Sequence, residues 1–359
     1  MNNLQTKHWI VDKKTDILTD NPQVKEAALW ITNDEVVAFP TETVYGLGAN
    51  ALSDRAISKI FKAKGRPSDN PLIVHIATIE QLHNLVKGIP EKAKTLMDKF
   101  WPGPLTIVFE GDSSVSPRVT AGLKTVAIRM PDDPLALALI KEAGVPLAAP
   151  SANLSGKPSP TKAEHVLKDL TGKIAGVLDG GATGVGLEST VIDCTCNPPM
   201  ILRPGGITKE QIEMVIGVVV VDKALLPNDE TVTAHAPKSP GMKYTHYAPQ
   251  APFILVEGSP QFLQSLVEKE QKLGKKVAVL TTEENKHTYE ADVVVACGYR
   301  RDLKTVAHHL YDSLRRFDDQ DVDIIYGEAF PYSDVGEALM NRLTKAAGGQ
   351  IIKEPTVTK

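Results

Sequence analysis

The chain has 359 residues, 42% of them hydrophobic, which is ample for more than one buried core and makes two domains the expectation. Its 40 Lys and Arg stand against 44 Asp and Glu with no long basic block, which argues against a non-specific nucleic-acid or membrane-surface binder and for a small ligand in a local cleft. Three cysteines, Cys194, Cys196 and Cys297, give neither a paired disulfide framework nor four zinc ligands, and the N-terminal stretch lacks the run of about seven apolar residues that a signal peptide needs. A soluble protein of the reducing cytoplasm, without a membrane span, is expected.

In chain order, Asn21-Pro22 opens a helix whose apolar positions are Val24, Ala27, Ala28 and Ile31, and a strand follows at 35–39. The strand runs into Thr41, Glu42 and Thr43, polar groups at a strand end, and then into Gly46 and Gly48, read as a turn. Ser53 or Asp54 caps the next helix, with the stripe Ala56, Ile57, Ile60 and Phe61, and Gly65 ends it in the left-handed conformation. A strand is predicted at 72–76, amphipathic segments at 79–86 and 91–100, and a rigid turn at Trp101-Pro102-Gly103-Pro104 into the strand Leu105–Phe109. Further strands are predicted at 125–130, 147–149, 175–178, 189–193 and 200–203, with helices at 134–143 and 161–169. Because the order is no clean βαβ repeat, the fold expected for residues 1–222 is a twisted, partly antiparallel α/β sheet around a concave cavity.

Residues 223–251 carry Pro227, Pro237, Pro240, Gly241 and Pro249, a linker composition, yet they hold Lys243, Tyr244, His246 and Tyr247. Such residues suit an ordered strap lying over the first domain better than a passive tether. Beyond it, strands at 253–256, 276–280, 293–296 and 323–326 alternate with helices at 260–272, 303–317 and 334–346. That pattern predicts a smaller Rossmann-like parallel domain over 252–359.

Several stretches carry chemistry. Lys64 and Arg66, between a helix end and a Pro-Leu-Ile-Val strand, read as an anion clamp on an exposed loop. Gly46-Leu47-Gly48-Ala49-Asn50-Ala51 matches G-x-G-x-x-A, a weak signal, since no acid closes a second strand about 20 residues on. There is no G-x-x-x-x-G-K-[ST] loop, so a triphosphate would be held by side chains and scattered amides. Ser151-Ala152-Asn153 follows an apolar strand, and Ser159-Pro160-Thr161 is placed to cap a helix whose amides favour an anion. Glu188-Ser189-Thr190 puts a hydroxyl at a strand head, and Arg203-Pro204-Gly205-Gly206 ends a strand on a guanidinium. Arg129, in the apolar strand Val126–Met130, is costly there unless it meets an anion. A lone His75 after Leu72-Ile73-Val74 is by itself better read as a core histidine.

Taken together, PTETVYGLG, KGRPSDNPL with His75, SANLSGKPSPT, STVID, RPGGIT and SPGMKYTHYAP resemble the threonylcarbamoyl-AMP synthases, in the two-domain form of the YrdC-like family. The match runs in order from about residue 20 to about 250, and Gly336–Leu343 resembles the family's second domain more loosely. The resemblance implies condensation of L-threonine, bicarbonate or carbon dioxide, and ATP to threonylcarbamoyl-AMP and pyrophosphate. Mg²⁺ is expected with the ATP, and a downstream tRNA threonylcarbamoyl transferase machinery is expected to take the product. It places Thr43, His75, Arg129, the Ala149 backbone and Ser189 around threonine. It places Lys64, Arg66, Asn70, Thr125, Ser151, Ser159 and Arg203 around ATP, with Asn153 supporting the loop and Tyr247 reaching in from the linker. Lys64 and Arg66 take the catalytic role of neutralising the triphosphate, and no protein ligand of the metal is assigned. Two alternatives stay open: an RNA-binding module, against which the 5% aromatic content counts, and a carbamoyl-adenylate-forming carbamoyltransferase, which in related proteins carries CxxC zinc modules absent here.

Overall fold

The computed structural model describes residues 5–15, 17–225 and 247–355. The chain divides into two compact units, one made of Met1–Ser155 and Ser159–Lys243, the other of Gly156–Pro158 and Tyr244–Lys359.

The strands of the first unit are β1 (Lys7–Ile10), β2 (Val37–Phe39), β3 (Gly46–Asn50), β4 (Ile73–His75), β5 (Leu105–Glu110), β6 (Thr125–Arg129), β7 (Leu147–Ala148), β8 (Gly176–Asp179), β9 (Thr190–Asp193), β10 (Met200–Arg203) and β11 (Val220–Val221). They form one mixed sheet in the order β1-β8-β2-β3-β7-β4-β6-β5-β9-β10-β11. Its helices are α1 (Pro22–Thr32), α2 (Asp54–Lys64), α3 (Ile79–His83), α4 (Glu91–Phe100), α5 (Pro117–Thr120), α6 (Pro134–Ala143), α7 (Ala163–Leu170) and α8 (Lys209–Ile216). Helix boundaries follow their caps. Asn21 accepts from the Gln23 and Val24 amides, Ser53 accepts from the Ala56 amide, and Gly65, at φ 61°, closes α2 as its composition requires. A capping box, Thr208 with Gln211, starts α8.

The period of two along a strand assigns the faces. Val74, Leu105, Ile107, Phe109, Val126, Ile128 and Ile192 enter the large core that includes Ile57 and Ile60 of α2. Their alternates Ile73, Val108, Ala127 and Val191 form, with Leu202, a small apolar patch on the other face. That second face carries the polar residues of the site.

Gly46 to Asn50 is not a turn. It is β3, antiparallel to β2, with Phe39 opposite Gly46 and Val37 opposite Gly48. A Cβ on Gly48 would sit 2.6 Å from the Phe39 ring, so the glycine makes room for an aromatic ring on the neighbouring strand. The G-x-G-x-x-A match is thereby explained without a dinucleotide. The helix expected at 161–169 also moves: it begins at Ala163 with Lys162 as cap residue, so neither Ser159 nor Thr161 caps it. The buried hydroxyl of Ser159 turns instead to Glu188 Oε1, 2.6 Å away.

In the second unit, β12 (Phe253–Glu257), β13 (Val277–Thr281), β14 (Val293–Ala296), β15 (Ile324–Glu328) and β16 (Ile351–Lys353) make an all-parallel sheet in the order β14-β13-β15-β12-β16. With α9 (Pro260–Lys272), α10 (Leu303–Phe317) and α11 (Val335–Ala346) this is the expected Rossmann-like arrangement. No helix among the described residues is long and apolar enough to cross a membrane.

Candidate active site

The site starts at the segment between β2 and β3. The Thr41 hydroxyl accepts from the amides of Thr43 and Val44 and donates to the Val44 carbonyl at 2.7 Å, closing a tight hydroxyl-stabilised turn. Its oxygen also lies 2.8 Å from that of Thr43. The turn is held from outside as well, because the Glu42 carbonyl accepts from the Gly184 and Val185 amides and the Thr43 carbonyl from Gly186. Thr43 therefore presents its hydroxyl in a fixed position, where Arg129 Nη1 donates to it at 2.9 Å.

Arg129 ends β6 and is 3% exposed. Burying a guanidinium demands partners. Nε donates to the Gly103 carbonyl at 3.2 Å, and Nη2 lies 2.5 Å from Glu42 Oε2, close in charge but off hydrogen-bond angle. His75 is opposite Arg129 in register on parallel β4 and shares its face. Burial, then the Arg129 charge and more weakly that of Arg203, push its pKa down to about 3. The Ile73 and Leu147 carbonyls pull the other way, but neither meets Nδ1 in hydrogen-bond geometry, and that buried nitrogen has no partner. The imidazole is neutral at physiological pH.

A second polar group adjoins from β5, β9 and β10. Thr106, fully buried, shares a 2.7 Å hydrogen bond with Ser189, whose hydroxyl also accepts from Arg203 Nη2 at 3.1 Å. Arg203 Nε and Nη2 both donate to the Ser189 carbonyl, at 3.1 and 3.0 Å. A bulge between Ile201 and Arg203 places Arg203 opposite Val191 and so on the face of the small apolar patch.

The third group is built on α2. Lys64, its last residue, is 3% exposed, contrary to the exposed loop expected for it. Its ammonium donates to the carbonyls of Ser151 and Asn153 at 2.5 and 2.7 Å and approaches Asn153 Oδ1 at 3.3 Å. The Ser151 hydroxyl donates to the same Asn153 Oδ1 at 2.6 Å. Lys64 is buried because these carbonyls solvate it, and it anchors the loop after β7. Arg66 is only partly buried, and Nη2 donates to the carbonyl of the buried Asn70 at 3.4 Å.

Similarities to known proteins bear on this arrangement. A family model described as "Telomere recombination" matches residues 30–205, and one described as "Threonylcarbamoyl-AMP synthase, C-terminal domain" matches 207–348. The threonylcarbamoyl-AMP synthase of Bacillus subtilis is 60% identical over 98% of this chain and 100% of its own length. The chain belongs to the threonylcarbamoyl-AMP synthase family. The synthase of Pyrococcus abyssi is 49% identical over 92% of this chain and 96% of its own. A crystal structure of P. abyssi Sua5 complexed with L-threonine superimposes with a TM-score of 0.90 at 47% identity, covering 98% of this chain and 100% of that one.

Of the residues that the sequence singled out in this synthase-family chain, Thr43, Arg129 and His75 form one contiguous group, Ser189 and Arg203 a second, and Lys64, Ser151 and Asn153 a third. The Ala149 amide is engaged by the Ile73 carbonyl at 2.9 Å, which ties it to β4. Thr125 begins β6, four residues before Arg129 and opposite Glu110, about 13 Å along the strand from Arg129. Tyr247, at φ 67°, packs its ring at 5.2 Å on Tyr311, with the Arg342 guanidinium 5.7 Å from its centroid. These contacts lie within the second unit. Lys243, Tyr244 and His246 lie outside the described residues.

Three participants were not assigned a role from the sequence. Glu42 carries the charge beside Arg129, Thr106 holds Ser189, and Glu188 accepts from Ser159. Glu42 stood in plain view between two threonines of a recognised motif. Thr106 gave a fainter signal, a hydroxyl in the otherwise apolar run Leu105 to Phe109.

Proposed function

We propose that the chain condenses L-threonine, bicarbonate or carbon dioxide, and ATP into threonylcarbamoyl-AMP with release of pyrophosphate, the adenylate then serving tRNA threonylcarbamoylation. The observation that supports this best is a buried polar group on an apolar sheet face, in a chain 60% identical along its length to a threonylcarbamoyl-AMP synthase. In that group Arg129 Nη2 and His75 Nδ1 lack hydrogen-bond partners. Buried groups of this kind cost stability unless a ligand completes them. The L-threonine in the P. abyssi Sua5 complex supports reading that ligand as threonine.

In this reading Arg129 and Thr43 take the threonine carboxylate and hydroxyl, with Ser189 and the Ala149 backbone completing the wall. Neutral His75 accepts or donates one hydrogen bond without adding charge. Lys64, Arg66, Asn70, Thr125, Ser151, Ser159 and Arg203 hold ATP, and Asn153 shapes the loop. Lys64 does so chiefly by fixing that loop, and Arg66 as the more exposed cation meets the triphosphate directly. The reaction is an assembly. A carbamate oxygen attacks the α-phosphorus in line with departing pyrophosphate, and the protein supplies orientation and charge rather than a nucleophile.

The oxygen donors around the triphosphate residues are hydroxyls, amides and the Glu188 carboxylate that Ser159 engages, a set that fits Mg²⁺ carried in by phosphates rather than caged by protein. When bound, the ion neutralises phosphate charge. Residues 1–222 are proposed as the catalytic domain and 252–359 as the second domain. Residues 223–251, of which 226–246 lie outside the described residues, are proposed as a strap bringing Tyr247 to ATP. The cytoplasm is the proposed compartment. Pyrophosphate release from ATP, assayed with and without L-threonine and bicarbonate, tests the reading: dependence on both is expected, and release independent of threonine overturns it.

A further inference from the structure

Among the described residues, Glu42 is a charged residue of the site that the proposed roles leave unused. Its two carboxylate oxygens are buried and neither makes a hydrogen bond, although Oε2 lies 2.5 Å from Arg129 Nη2. A carboxylate stripped of water in this way ordinarily collects several donors. Asp132, whose carboxyl is raised above its usual range by burial and next by the Glu42 charge, adds a negative neighbour and not a donor. Among the described residues, the other charged or titratable groups about this corner include Arg129, His75, Arg203, whose charge reaches His75, and Asp133 with its partner Lys13.

Arg129 and Glu42 thus present a cation and an anion side by side, and an α-amino acid carries the complementary pair. We propose that Glu42 is the counter-ion and proton acceptor for the amine of the amino-acid substrate, while Arg129 takes its carboxylate. The inference rests on the threonine reading above. In the step concerned one N–H bond of the ammonium breaks and one O–H bond forms on Glu42, giving amine and carboxylic acid. The electron pair stays on nitrogen as the lone pair that attacks carbon dioxide; as the C–N bond forms, one C=O π pair moves onto oxygen and a second N–H proton leaves to solvent, giving the carbamate. Arg129 beside Glu42 favours the charged carboxylate, so Glu42 is freed to take the proton as the substrate carboxylate engages that guanidinium in its place.

The test compares the full-length protein with Glu42→Gln, which keeps the shape and removes the charge, and Glu42→Asp, which keeps the charge. Binding of L-threonine and of 3-hydroxybutyrate, which is threonine without its amine, is measured by competition in ligand-observed NMR. The pH dependence of kcat/KM for threonine is measured in parallel. The expected result is at least about a tenfold loss of threonine affinity in Glu42→Gln with less than about a twofold change for 3-hydroxybutyrate, and partial retention in Glu42→Asp. In addition, kcat/KM of Glu42→Gln should climb with pH as solution base replaces the lost acceptor. Equal losses for both ligands would reduce Glu42 to a prop for Arg129, and wild-type affinity with a wild-type pH profile would remove it from the site; either overturns the proposal. Failure of the wild-type protein to bind or turn over threonine would instead overturn the underlying reading.

Discussion

Glu42 in the first unit and Glu328 in the second are both carboxylates set against an arginine where a strand has just ended or is ending, and they are completed differently. Glu328 closes β15, where Oε1 accepts from Thr281 at 2.6 Å, Asn285 at 3.0 Å and Tyr289 at 2.6 Å, and Oε2 accepts from Arg300 at 3.0 Å. It lies beside a cavity of about 100 Å³ lined also by Gly258, Ser259 and Pro260. Burial and the Glu328 charge even push the Tyr289 phenol above its usual range, which keeps it a donor. Glu42 has a cation at contact distance and no hydrogen bond. A saturated carboxylate rigidifies a fold, whereas one left with open valences holds free energy that a ligand can release. The same residue type thus serves structure in one unit and is available for chemistry in the other.

The largest effect should come from removing the cation of the open pair. Arg129→Ala leaves Glu42 buried and uncompensated, so about 3–5 kcal/mol of stability should be lost in urea unfolding, with threonine-dependent pyrophosphate release falling below detection. Unaltered turnover would break the comparison from the site's end. Glu328→Ala should cost about 3 kcal/mol, because it strands three donors while Arg300 can turn to water, and it should leave threonine affinity in the surviving folded protein unchanged. Loss of threonine binding without loss of stability would mean that the saturated knot is functional after all.

Lys64 and Arg66 sharpen the same distinction within the site. Lys64→Ala removes a buried ammonium from the Ser151–Asn153 loop and should cost about 1.5–3 kcal/mol of stability together with activity. Arg66→Ala should weaken ATP binding by about 10-fold to 100-fold at constant melting temperature. Equal melting temperatures for both variants would contradict the burial of Lys64.

His75 supplies the smallest effect. Its folded pKa is depressed to about 3, so below the unfolded value of about 6.5 the unfolded chain binds a proton that the folded chain refuses. Stability is therefore full above about pH 6.5 and falls as the pH drops toward 3. Between pH 7 and pH 5 the protein should lose about 2 kcal/mol more than its His75→Asn variant in matched urea titrations. Identical slopes would show that His75 is solvated, and activity should show no titration of this group near pH 6.5.

Much of this molecule is legible locally. Caps at Asn21, Ser53 and Gly65 and the apolar runs at β4 to β6 and β12 to β15 are decided by neighbours a few residues away, so composition and period suffice to place them within a residue or two. The motif residues Thr43, Arg129, Ser189 and Arg203 could be singled out because a hydroxyl or charge beside an apolar strand conflicts with burial unless it meets something. Their partners could not. Whether Gly46 and Gly48 turn or extend depends on the Phe39 ring across the strand pair, and whether Lys64 is solvated depends on carbonyls 87 and 89 residues away. Arg203 shares the face of Val191 only because a bulge displaces its register, and Thr106 becomes the support of Ser189 only when β5 and β9 lie side by side. Local preference is written in short-range sterics and hydrogen bonds, but the solvation of a buried charge is settled by whichever distant backbone the sheet order brings beside it.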